Sequence, residues 1–352
     1  MGERNGVVDV DFHFSEDPEE LLTYFDEPWK TRFEDGGMYT RATFYPSATG
    51  DNQMGGRIQR EDYPGMEPSE ISDAMDRLGL DAILALSDMI LSVQGIETED
   101  NRAITLANAV TDYMREQVLD PDEGIYSAIP IPHQHIDASV ELIERAKDHP
   151  GFVGVYIVGG GTEPPLGHYR YEPIYEVAAD NDLPVVVHSA GSGLDDFHVK
   201  GFENLLSTHA LNFLETNMEQ MTSLVIQGIP EKFPDLDFVF LESGVFWVAT
   251  MLQRLNAEYL KRQAEAPLLT KRPGEYMKES FYYGTQPLEQ PDDPQHLETI
   301  IDIVGGADRL LYASDYPHWD YDEPTTVTEL PFLDEDEKRR ILAENARKVF
   351  GI

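Results

Sequence analysis

Apolar residues along this chain gather in short unbroken runs, and between the runs they recur at helical spacing. Strand-like runs lie at about 7–12 (VVDVDF), 82–87 (AILALS), 125–131 (IYSAIPI), 152–158 (FVGVYIV), 184–188 (PVVVH), 236–241 (LDFVFL), 280–284 (SFYYG) and 310–314 (LLYAS). Most are continuous and do not alternate, the pattern of strands buried on both faces of a parallel sheet. Helix-period segments separate them at 69–78, 102–118, 138–147, 173–179, 202–229, 245–263, 294–303 and 335–349. Strands that alternate with helices in this way predict a (β/α)8 TIM barrel. Gly151, the Gly228-Ile229-Pro230 segment and the Gly305-Gly306 pair sit where helices should end and turn back into strands.

Two stretches break the rhythm. The interval between the first two runs is far longer than one helix requires, and its part at about 32–68 is rich in Gly, aromatic and polar residues and carries Arg41, Arg57 and Arg60. It reads as an insertion after strand one, serving as a lid or an oligomer contact. A second irregular stretch, 190–208, follows the fifth run. Neither an internal repeat nor an interdomain linker is evident, so residues 1–352 read as a single domain. The acidic segments EDPEE and DEDEK should start helices at Asp17 and Asp334.

Composition narrows the setting. Lys and Arg number 26 against 66 Asp and Glu, a formal net charge of −40. Such a surface repels nucleic acid and anionic lipid. The carboxylates are spread along the whole length among 41% hydrophobic and 10% aromatic residues, so the chain reads as folded. Self-repulsion at this charge density is screened by concentrated salt, and Arg outnumbers Lys; both fit a halophilic cytoplasm. There is no cysteine, so any metal must be held by nitrogen and oxygen ligands. The polar start MGERNG is not an apolar signal segment, and no run approaches the roughly 18 apolar residues of a membrane span. The expectation is a soluble cytoplasmic protein.

Four runs stop on an imidazole or a carboxylate: VVDVDFHF (7–14), PVVVHS (184–189), FVFLESG (238–244) and LLYASDYPH (310–318). In a barrel, the C-terminal strand ends share one rim. Asp11 and His13, two apart at the end of strand one, share a face of the strand, and Asp9 is in phase with them as a supporting group. His188 ends strand five and Asp315 ends strand eight. Two imidazoles and two carboxylates suit one divalent ion, with Zn the first expectation and Mn or Fe the alternatives. Taken singly, His188 could be a core histidine, and Asp315 a helix cap or turn former before Pro317.

These motifs resemble the amidohydrolase superfamily, and within it the amidohydrolase-2 branch related to aminocarboxymuconate semialdehyde decarboxylase and the aromatic-acid decarboxylases. In that branch strand one ends in H-x-H, D-x-H or E-x-H, strand five in His, and strand eight in the Asp of an S-D-Y/F-P-H-like segment. Here those places read Asp11-Phe12-His13, His188 and Ser314-Asp315-Tyr316-Pro317-His318, and the likeness extends through HYRYEPIYEVAADNDLPVVVH and GIPEKFPDLDFVF. The resemblance implies Asp11, His13, His188 and Asp315 as metal ligands and a homodimer. It fails at strand six, where many relatives have His followed by Gly-Gly and this chain has Glu242-Ser243-Gly244. Glu242 could act as general acid or base if burial raises its pKa, could bind metal, or could hold Arg254 or a backbone amide. His318 could orient the metal ligand or touch substrate.

Other motifs carry less. His133-Gln134-His135 imitates a metal motif but follows strand three and precedes a helix with Asp137 as its expected N-cap, so it reads as loop or pocket chemistry. His198 and His209 lie in and beside the strand-five loop, and spacing does not choose between them. Gly159-Gly160-Gly161 lacks the Lys and Ser/Thr of a phosphate loop, and there is no G-x-S-x-G elbow. Phe246 and Trp247 read as core or pocket wall. The expected function is a metal-dependent hydrolase or nonoxidative decarboxylase of a small carboxylated, cyclic or aromatic molecule, with Arg41 or Arg57 pairing its carboxylate. The rival is a barrel without catalysis that binds or scaffolds.

Overall fold

A computed structural model describes residues 6–36, 66–91, 101–189, 205–318 and 320–352. Eight parallel strands follow one another around a single sheet: β1 Val7–Phe14, β2 Leu80–Ser87, β3 Ile125–Pro130, β4 Phe152–Val158, β5 Val185–His188, β6 Phe238–Leu241, β7 Phe281–Gly284 and β8 Leu310–Leu311. The ring closes from β8 onto β1. Val10 N donates to Tyr312 O (3.0 Å), Asp315 N to Asp11 O (2.7 Å) and His13 N to Tyr316 O (2.7 Å). The protein is a (β/α)8 TIM barrel, as its apolar pattern predicts.

Unbroken apolar runs give strands with no exposed face: every residue of β4, β5, β6 and β7 is buried. Large rings pack between β6, β7 and the helix that carries Trp247, where Phe240 stacks on Tyr283 with centroids 6.1 Å apart and Trp247 stands edge-on to Tyr283. Trp247 is core and donates from Nε1 to Gly244 O (2.9 Å), while Phe246 is half-buried.

Helices cross between strands at Ile71–Leu78, Arg102–Gln117, Ile136–Ala146, Glu172–Asp180, Leu205–Ile226, Phe246–Arg262 and Pro294–Val304. The last ends at Gly305 and Gly306, whose φ angles of 125° and 78° suit glycine. Asp17 and Asp334 both cap helices, accepting from Glu20 N and Glu337 N. Where 335–349 reads as one helix, a π turn at Arg340–Glu344 divides Glu335–Arg339 from Asn345–Phe350. The helix after β3 starts at Ile136 with His135 at the N-cap, so Asp137 lies in its first turn instead of capping it. Two helices, Trp29–Gly36 and Pro273–Glu279, are too short for the helical period to declare them. The first occupies the start of the expected insertion, and residues 37–65, with Arg41, Arg57 and Arg60, lie outside the described residues. Among the described residues no helix is long and apolar enough to cross a membrane.

Candidate active site

At the C-terminal rim the barrel gathers the groups that end its strands. Asp11, His13, His188 and Asp315 are all fully buried, and each offers a ligand atom within 4.8 Å of the others. His13 Nε2 lies 3.1 Å from Asp11 Oδ1 and 3.3 Å from Asp315 Oδ1; His188 Nε2 lies 3.6 Å from Asp11 Oδ1. Asp11 Oδ2 is buried and accepts no hydrogen bond among the described residues. Hard oxygens and imidazole nitrogens converging in this way form a donor set that could hold a divalent cation.

The local backbone is built to hold this convergence. β1 carries an extra residue between Asp9 and Phe12 relative to β2, so the strand bulges beside Asp11. Asp9, also fully buried, accepts at Oδ1 from Asp11 N (3.0 Å) and Ser314 N (2.9 Å), tying the end of β1 to the segment after β8. That is the supporting place its phase in the sequence suggests. Asp315 itself has a φ of 61° and Glu242 a φ of 58°, a region that side-chain-bearing residues rarely adopt. At Glu242 the turn is held by Ser189 Oγ donating to Glu242 O (2.8 Å) and by Asn217 Nδ2 donating to Leu241 O and Ser243 Oγ (both 2.8 Å).

Charge within the cluster is strongly redistributed. Burial opposes ionisation of Asp11, but His188 and His13 outweigh it and hold that carboxyl well below the usual range. His13 is disfavoured as a cation by burial and by His318, yet hydrogen bonds to Asp11 and Asp88 lift it to about 9. Burial raises Asp315 to about 6 despite His318 and His13. Glu242, buried with Oε2 3.4 Å from His188 Nε2, is pushed well above the usual carboxyl range by burial first and then by Asp315 and Asp11, with His318 opposing.

His318 joins the same group. Its Nδ1 is 2.6 Å from Asp315 Oδ1, and its ring stacks on His13 at 4.2 Å. Arg254 is 73% exposed and lies against Glu258, so Glu242 does not hold it. His133 sits away from the cluster, fully buried against Thr162 Oγ1 (2.8 Å), and burial lowers its pKa to about 3, which keeps it neutral. His209 Nε2 lies 3.3 Å from Asp320, at the rim, while His198 is outside the described residues. Gly159 turns the chain beside β5, its N–H donating to His188 O (2.8 Å).

Sequence reading missed two members of the site. Asp88 stands at the end of β2 with Oδ1 3.4 Å from both His13 Nδ1 and His318 Nε2, and Ser15 Oγ donates to its Oδ2 (2.7 Å). Although burial works against its charge, the bonds to the two histidines hold Asp88 well below the usual carboxylate range. The signal existed, since AILALSD ends on a carboxylate as the other runs do. Gln286, fully buried beyond β7, donates from Nε2 to Asp315 Oδ2 (3.3 Å); no feature of the sequence marks it.

Known proteins share this fold and match this sequence. Over 313 residues the chain is 24% identical to a gamma-resorcylate decarboxylase of Polaromonas sp. (strain JS666), spanning 84% of this chain and 93% of that one. Its fold is similar to an amidohydrolase from Mycobacterium avium subsp. paratuberculosis K-10, with a TM-score of 0.77, 17% identity and coverage of 98% and 99%. A dihydroxybenzoic acid decarboxylase from Polaromonas sp. JS666, solved with manganese and the inhibitor 2-nitroresorcinol, superposes with a TM-score of 0.69 at 19% identity, covering 99% of this chain and 97% of that one. The strand-end cluster lies within the match to the amidohydrolase family, which runs over residues 8–352, and the chain therefore belongs to that family and is an enzyme of its amidohydrolase-2 branch.

Proposed function

We propose that this protein is a metal-dependent, nonoxidative decarboxylase of a small hydroxylated aromatic acid. The observation that carries this reading is the buried meeting of Asp11, His13, His188 and Asp315 with Glu242 beside them. The decarboxylases among similar proteins favour CO2 release over hydrolysis of an ester, amide or lactone.

Asp11, His13, His188 and Asp315 would hold the ion, Zn as the donor set suggests or Mn as in the Polaromonas structure. Once bound, such an ion supplies a Lewis acid that draws electron density from substrate oxygens. Asp88 orients His13 from behind, and Gln286 does the same for Asp315. Glu242 is the proton donor. The bond between ring and carboxylate breaks, CO2 leaves, the electron pair remains on the ring carbon, and the Glu242 proton forms the new C–H bond. Burial and neighbouring carboxylates keep that proton in place until the ring carbon demands it. Arg41 or Arg57 would pair with the substrate carboxylate, and the wider setting proposed is a homodimer in a halophilic cytoplasm.

The test is metal content followed by turnover. Chains supplied with Mn or Zn should hold close to one ion each, sharply reduced in His188→Ala and Asp315→Ala, and should release CO2 from 2,6-dihydroxybenzoate or a related ring acid. A metal-loaded chain that yields acid from esters or lactones and no CO2 from any ring acid would overturn the decarboxylase reading.

A further inference from the structure

Tyr156 is a buried group beside this site that the mechanism above leaves without a task. It lies in β4, 2% exposed. Its hydroxyl is buried and has no hydrogen-bond partner among the described residues. Other buried tyrosines find one: Tyr171 donates to Pro164 O, Tyr175 to Leu166 O, Tyr283 to Met277 O and Tyr312 to Asp322 O. A buried hydroxyl left unpaired costs free energy and calls for an explanation.

Register shows which way Tyr156 faces. It stands opposite Val186 in the parallel β4–β5 pair, as Val158 stands opposite His188. Opposed residues share a face and alternate residues return to it, so Tyr156 points to the side of the sheet that His188 occupies, one layer below the rim. Its ring meets the His188 ring edge-on, with centroids 5.7 Å apart and planes at 63°. A buried hydroxyl that faces the cluster without an acceptor among the described residues is a donor available to a ligand oxygen.

We propose that the Tyr156 hydroxyl is a substrate-binding group, donating a hydrogen bond to an oxygen of the anionic ring compound held at the Asp11–His13–His188–Asp315 cluster. This rests on the decarboxylase reading and adds the group that grips the ring from the floor of the barrel. A donor to a charged oxygen is worth roughly a 10- to 100-fold change in affinity.

The probe is 2-nitroresorcinol, titrated calorimetrically into manganese-loaded wild-type protein and Tyr156→Phe, with metal content and melting temperature measured on both. The expected result is that Tyr156→Phe keeps its metal and its melting temperature, binds the probe about 10- to 100-fold more weakly, and releases CO2 from ring acids with a raised KM. Equal affinity in the two proteins, or loss of metal from Tyr156→Phe, overturns the inference while leaving the decarboxylase reading intact. If Tyr156→Phe fails to fold, 3-fluorotyrosine at position 156 replaces it. That ring is nearly unchanged and its hydroxyl is a stronger donor, so probe binding should tighten, and unchanged binding overturns the inference. Wild-type protein that binds no probe and releases no CO2 overturns both readings together.

Discussion

Glu242 and Asp315, beyond the ends of β6 and β8, each take a left-handed conformation that costs a side-chain-bearing residue on the order of 1 kcal/mol. Glycine at either place would relieve the strain and remove the carboxyl group. At Glu242 the neighbours Ser189 and Asn217 bond to the backbone on both sides and hold the turn, so exchanging the side chain should not collapse it. Glu242→Gln keeps the shape and removes the proton. It should retain metal and a near-normal melting temperature while kcat for CO2 release falls at least about 100-fold. A variant with wild-type kcat would assign the proton to another group.

At the scale of elements, the site depends on a seam. β8 is only two residues long by its ladder to β7, yet the chain beyond it stays registered on β1 through Val10, Asp11 and His13, and the Asp9 carboxylate bridges both segments. Asp9 bonds to no side chain of the four clustered residues in the bonds described, but by accepting from Asp11 N and Ser314 N it fixes the backbone from which Asp11 and Asp315 project. Asp9→Ala should therefore weaken metal binding by about 10- to 100-fold in a competition titration against a chelator, in a barrel that still folds. Asp9→Asn, which keeps an oxygen for Asp11 N and Ser314 N, should recover most of the loss. Equal affinity in wild type and Asp9→Ala would show that the seam holds without it.

Over the whole molecule the dominant quantity is the formal charge of −40, carried by a barrel whose strands are almost wholly buried. Repulsion among surface carboxylates opposes the compact state and is screened as ionic strength rises. Melting temperature should climb steadily from dilute to multimolar KCl; a melting point indifferent to salt would remove the halophilic reading. The same scale separates what could be read in advance from what could not. Unbroken apolar runs ending on Asp11, His13, His188, Glu242 and Asp315 were legible because burial on both faces and delivery to one rim are properties of each strand and its end. Asp9, in phase on β1, was legible for the same reason. Which neighbours those groups would meet was not, because Asp88 reaches His13 from another strand, Gln286 reaches Asp315 across a loop, and Tyr156 turns to His188 only through the β4–β5 register. The sequence by itself determined the barrel and the residues at its strand ends, since local periodicity decides which positions must be buried. Only the tertiary structure decided which of them share a hydrogen bond, a charge or an unfilled valence, because those depend on distances between segments far apart in the chain.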